Sequence, residues 1–251
     1  MVALTEDPTE DPTEDLADDP TDDPTDDLRV DLDASSTREA NEALRALAAG
    51  SRAHLLNPRG RHNLAVGLDN PVQVHVDGPA GYYVGGLGKQ ATVRVHGPAG
   101  PGAGENLMSG LVEIDGDASQ SLGASARGGT VVVRGSASLR AAISLKGATV
   151  VVAGDVGAFC CFLAQSGTVL IGGDAGKALG DSLYEAVIYV GGSIAGLGTD
   201  ARVEDLTAAD VARVRDLVRL HDLVGIDPEN VTRVASARQL YHFDTQHTGA
   251  Y

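Results

Sequence analysis

The residues able to do chemistry are few, and their spacing does not converge on a site. There are two cysteines, and they are adjacent: Cys160 and Cys161. A disulfide between neighbours would be strained. One pair holds neither zinc nor an iron–sulfur cluster unless another chain adds cysteines. The pair therefore reads as small, half-buried filler. Four histidines, His54, His62, His75 and His96, are dispersed over the first hundred residues. His75 and His96 are near one structural repeat apart but two residues out of register, which is thin support for a shared metal. His221 reads as a cation at a helix C-terminus. Amidotransfer of class II needs a leading cysteine, whereas this chain begins Met1-Val2-Ala3. Gly88-Lys89-Gln90 and Gly176-Lys177-Ala178 lack the first glycine and the Ser or Thr of a phosphate loop. Gly100-Pro101-Gly102-Ala103-Gly104 does not sit between a strand and a helix of a βαβ unit. Asp115, Asp117, Asp155, Asp174 and Asp181 are spread over turns rather than gathered on one face. No catalytic, cofactor-binding or metal-binding residue is assigned.

The elements that carry these residues follow a period of nineteen. Gly78, Gly97, Gly116, Gly135, Gly154, Gly173 and Gly192 all fall on that grid. Two residues after each glycine the chain reads Ala80, Ala99, Ala118, Ala137, Val156, Ala175 and Ile194. Fifteen and seventeen after, it reads Val93/Val95, Val112/Ile114, Val131/Val133, Val150/Val152, Val169/Ile171 and Ile188/Val190. Val74/Val76 fit one period earlier, although Arg59 takes the glycine slot. Positions two apart face the same side of a strand. The residue between them varies (Arg94, Glu113, Val132, Val151, Leu170, Tyr189), as an outward position allows. Such a unit buries its apolar face only by stacking on copies of itself. The expected fold is an all-β solenoid: a right-handed parallel β-helix of about seven 19-residue coils, with flanking helices at both ends. At ~4.8 Å per coil the stack reaches about 34 Å. Hexapeptide helices, leucine-rich repeats and calcium-binding nonapeptides each need a signature this chain lacks. A compact sandwich has no reason to hold one period through seven units.

Four segments follow. Residues 1–28 form an acidic Thr-acid-acid-Pro tail, expected to be disordered because proline blocks helix and like charges repel. Residues 1–34 hold fourteen acids and one base, so most of the net charge of −16 belongs there. Residues 29–58 supply a leading strand, Arg29–Asp33, and a helix over 37–49 that ends at Gly50. Ser36 and Glu39 form its capping box, and it covers the first coil. Residues 59–203 form the β-helix. Residues 204–251 give a second helix, started by Thr207 and Asp210 and ended by Gly225, then the aromatic ending Tyr241, His242, Phe243, His247 and Tyr251. The helix's apolar face is Val211, Val214, Leu217, Val218 and Leu220. Ser119, Gln120, Ser121, Ser125, Ser138, Ser144, Gln165 and Ser166 recur in coil corners. They read as turn hydrogen-bonders or as a wet surface facing a partner. The body has no basic stripe for nucleic acid, no apolar run of membrane length and no signal pattern. A cytoplasmic protein is expected.

The repeat carries a resemblance. "GDASQSLGASARGGTVVVRG" resembles the repeat unit of the GXGXG domain that ends the large chain of glutamate synthase. "VDLDASSTREANEALR" resembles that domain's opening segment. The stretch from Ser144 to Gly198 is similar to the stand-alone GXGXG subunit of three-part glutamate-synthase-like enzymes, N-methylglutamate synthase among them. "QLYHFDTQHTGAY" resembles that subunit's ending. The likeness covers roughly residues 29–251, is specific over 116–200, and leaves the acidic tail aside. It implies a subunit that is not itself catalytic. That subunit would hold a class II glutamine amidotransferase-like chain in register with an FMN-binding, iron–sulfur synthase chain in a hetero-oligomer, helping ammonia or an amine pass between them. No cofactor is expected in this chain; FMN and the cluster belong to the partner. The alternative is the β-helix subunit of a formylmethanofuran dehydrogenase.

Overall fold

A computed structural model describes residues 27–238. The acidic tail up to residue 26 and the aromatic ending from 239 lie outside the described residues. Eleven strands form one sheet. They are β1 (Leu28–Asp31), β2 (Arg52–Leu56), β3 (Gln73–Val76), β4 (Thr92–Val95), β5 (Leu111–Ile114), β6 (Thr130–Val133), β7 (Lys146–Val152), β8 (Ser166–Ile171), β9 (Val187–Val190), β10 (Ala201–Glu204) and β11 (Thr232–Ser236). Two helices accompany them, α1 (Thr37–Ala46) and α2 (Ala208–Leu220). Strands β1 to β9 pair in chain order and in parallel. From β3 to β9 the register step is nineteen residues, as in Val93↔Val112 and Val131↔Val150, apart from Lys146↔Ser166 at the start of β7. A second line of parallel bridges runs through Ala80, Ala99, Ala118, Ala137, Val156, Ala175 and Ile194. The chain is a parallel β-solenoid of about seven turns carrying two helices. The stacked sheet already begins at β1, inside the segment expected to be a leader.

Each coil is a flattened loop with two walls. One wall is the strand, whose two valine columns point inward and are buried. The other wall faces it across the core. Gly85, Gly104 and Gly123 stand there, seven residues past the repeat glycine. A Cβ on them would lie 2.7, 2.8 and 3.1 Å from the Cγ2 of Val112, Val131 and Val150. Their φ angles are +66°, +66° and +60°. Glycine suits this column twice over, by space and by backbone. Ala142 and Cys161 occupy the same column at φ 56° and 60°. Positive φ recurs two residues to either side, at Ser121 and Ser125, Arg140 and Ser144, and Phe159 and Leu163. This second wall therefore alternates left-handed residues instead of forming a strand.

The ends are closed differently. The Ser36–Glu39 capping box starts α1. The helix stops at Ala46, short of Gly50, because Asn70 donates to the carbonyls of Leu44 and Leu47 and satisfies the helix end. Asn41 donates to the Asn63 carbonyl at 2.7 Å and accepts from the Ala65 amide at 2.8 Å. These bonds fasten α1 to the first coil. At the far end β11 runs antiparallel beside β9, and β10 covers β11. Helix α2 does not cap the stack. Val214 packs with Leu223, Ile226 and Val231 on Val132, Val151, Leu170 and Tyr189, the outer face of β6 to β9. Leu220, expected on the packing face, is 72% exposed. No helix among the described residues is long and apolar enough to cross a membrane.

Candidate functional site

The outward column of the sheet runs His54, His75, Arg94, Glu113, Val132, Val151, Leu170, Tyr189. Its first half is polar and its second half lies under α2. Three of the four histidines, His54, His75 and His96, are gathered in the polar half, while His62 stacks on Tyr82 at 4.4 Å. The His54 and His75 rings stack at 4.6 Å, 6° from parallel. His96, two residues beyond Arg94 on the same face, stacks on His75 at 5.2 Å. Its Nε2 lies 2.9 Å from His75 Nδ1. Carboxylates hold both ends: Asp77 against His54 at 2.7 Å and Asp115 against His96 at 2.8 Å. Burial, then the neighbouring His54 and His96, holds His75 below the ordinary histidine pKa. The facing nitrogens of His75 and His96 are within hydrogen-bond distance of each other and leave no room for an ion between them. Among the described residues no group of three or more His, Cys, Asp or Glu is placed to hold a metal.

Glu113 is buried beside this ladder between Arg94 Nε, at 3.3 Å, and Arg134 Nε, at 3.1 Å. Arg134 also donates to the carbonyls of His221 and Asp222 at the end of α2. The cation on that helix C-terminus is therefore Arg134 and not His221. His221 is buried, its Nε2 has no hydrogen-bond partner, and burial lowers its pKa. The other end of α2 is clamped. Tyr189 donates its hydroxyl to Asp210 at 2.5 Å, and Arg233 Nε reaches the same oxygen at 3.3 Å. Burial opposes the charge on Asp210. The hydrogen bonds from Thr207 and Tyr189 and the Arg233 charge outweigh it and hold the carboxyl at about 2. Burial and the Asp210 carboxylate together push the Tyr189 hydroxyl up to about 12.

The turn aspartates have a structural use. Asp117 accepts from the Ser136 amide at 2.8 Å, Asp155 from the Asp174 amide at 2.7 Å, and Asp174 from the Ser193 amide at 2.7 Å. Ser136 Oγ accepts from the Asp155 amide in the same column. Each side chain ties its coil to the next. Cys160 and Cys161 are free and fully buried rather than half-buried, with their sulfurs 3.7 Å apart. The hydrogen bond shared with Cys160, then burial, pushes the Cys161 thiol far above its usual range. A thiol so held is a poor nucleophile. The polar side chains brought together here bind one another or the backbone of the next coil. That arrangement stiffens a rod. The sequence missed the histidine ladder and the clamp; the polar-to-apolar change along the outward column was the available signal.

These features define the class: a parallel β-solenoid braced by inter-coil ladders. No family model matches the sequence. One relative is similar along nearly its whole length. Protein GlxC of Rhizobium meliloti (strain 1021) is 48% identical over 225 residues, which span 88% of this chain and 99% of GlxC. The chain belongs to the GlxC family.

Proposed function

We propose that this chain is the non-catalytic scaffold subunit of a glutamate-synthase-like complex that makes glutamate or N-methylglutamate. It positions a class II amidotransferase-like chain against a chain bearing FMN and an iron–sulfur cluster, and it helps carry ammonia or an amine between them in the cytoplasm. The observation that carries this reading is the alternating left-handed wall. Ser121-Leu122-Gly123, in the stretch that resembles the GXGXG domain of glutamate synthase, and Phe159-Cys160-Cys161, in the stretch similar to the stand-alone GXGXG subunit, hold φ above +50° at alternate residues. Coverage of 99% of GlxC supports a stand-alone unit over a domain of one large synthase chain. Stiffness is what a scaffold supplies: an intermediate passed between two sites needs them at fixed separation, and coils joined by ladder hydrogen bonds deform little.

The test is purification of the tagged full chain from its own cells. Two further chains should accompany it, one of them yellow with flavin and one similar to glutamine amidotransferases. A chain that elutes alone overturns the reading. A molybdopterin-bearing companion replaces it with the formylmethanofuran dehydrogenase type.

A further inference from the structure

The left-handed wall carries three features that folding alone does not explain. First, large apolar side chains protrude from it. Tyr82, Tyr83, Leu87, Leu139, Phe159 and Leu163 lie on it, and Leu87 and Leu163 are 55% and 46% exposed. Second, four of them stand where a large side chain is least welcome. Tyr83, Leu87, Phe159 and Leu163 have φ of 62°, 58°, 60° and 56°. Two coils put glycine, serine or asparagine at those positions, at Gly102, Asn106, Ser121 and Ser125, while Arg140 and Ala178 hold the first of the two positions in two others. Large L-residues in this region are strained, and an exposed position gains no core packing in exchange. Third, the charge is sparse and one-sided. From Gly81 to Tyr184, counting three to eleven residues past each repeat glycine, the wall and its edge hold Lys89, Arg127, Arg140, Lys177 and, where the chain turns into β7, Lys146, but only two acids, Glu105 and Asp181. None of the five bases makes an ion pair among the described residues, whereas Arg59, Arg94, Arg134 and Arg233 each sit on a carboxylate. This excess stands on a chain whose net charge is −16.

From these features we infer that the wall opposite the sheet seats one partner protein, whose contact surface is apolar at its centre and acidic at its rim. Protruding aromatics, few charges and arginines without partners are what interface centres and rims show. The wall is about 34 Å long and roughly 20 Å wide. That is on the order of 700 Å², close to the ~800 Å² each side gives to a standard interface. The outer face of the sheet is not a competitor: α2 covers one half, and the other is occupied by the histidine ladder and Glu113.

The inference rests on the scaffold reading, and the experiment separates the two. The full chain is purified from its own cells as wild type, as F159N/L163N, as R127E/K146E, and as Q73S on the opposite face. Asparagine tolerates left-handed backbone, so F159N/L163N folds. The wild type and Q73S should bring the flavin-bearing complex with them. F159N/L163N should lose about tenfold or more of one companion chain while its own unfolding midpoint holds or rises. R127E/K146E should lose the same companion. Companions retained at wild-type level by both wall variants overturn the wall and leave the scaffold standing. A wild-type chain that elutes alone overturns both. A wall that cross-links to a second copy or to residues 1–26 of the same chain also overturns the inference.

Discussion

Asp210→Asn tests how α2 is held on the sheet. The side chain keeps its shape and loses its charge. In the folded chain the Asp210 carboxyl titrates at about 2, against an ordinary 3.8. Each unit of difference corresponds to ~1.4 kcal/mol, so the ionised form contributes about 2 kcal/mol, a side chain only 12% exposed needing little reduction for screening. The sign follows from the lowered value. The contribution is whole above 3.8 and is lost as pH falls from 3.8 toward 2. Denaturant unfolding of both proteins, followed by circular dichroism, measures it. At pH 7 the variant should be about 2 kcal/mol less stable, and the gap should narrow as pH drops below 4. A gap under ~0.5 kcal/mol at pH 7, or one that acid leaves unchanged, refutes the clamp.

Three further outcomes follow from the same geometry. Gly100→Ala places a Cβ 2.7 Å from the Gly81 carbonyl carbon in the next coil, backbone against backbone. It should cost about 3 kcal/mol in denaturant unfolding even though φ at Gly100 is ordinary. Cys160 and Cys161 should resist an aromatic disulfide reagent in the folded chain and react once it is unfolded; fast labelling of native protein would contradict their burial. His75 has a lowered pKa, so the folded chain takes up its proton less readily than the unfolded one. Stability should fall as pH drops through 6.5, and an NMR titration should place the His75 midpoint below 6.5; a midpoint above 6.5 would contradict the stacked ladder.

The fold was legible because its constraints repeat. Glycines, small residues and valine pairs recur on one grid, and a solenoid is the structure that makes such a grid pay in every coil. What the sequence concealed lies where the grid breaks. Arg52 pairs with Gln73, a step of twenty-one residues. A fixed period of nineteen therefore does not place His54 beside His75. Reading alternate residues of a strand as simply outward hid the fact that Val132, Val151, Leu170 and Tyr189 are apolar for a reason, namely α2. The left-handed wall was masked because Tyr83, Phe159 and Cys161 stand where positive φ normally announces itself with glycine. The turn aspartates were visible but looked scattered, since their alignment appears only once the coils are stacked.

The central proposal is that this chain contributes position and no chemistry. Reconstitution tests it most directly. The two companion chains are prepared with and without the purified chain, and glutamine-dependent glutamate or N-methylglutamate formation is measured alongside the absorbance of each component. The chain alone should be colourless and inactive, and adding it to the pair should restore coupled turnover. A chain that carries its own flavin, or a pair that is fully coupled without it, would contradict the account.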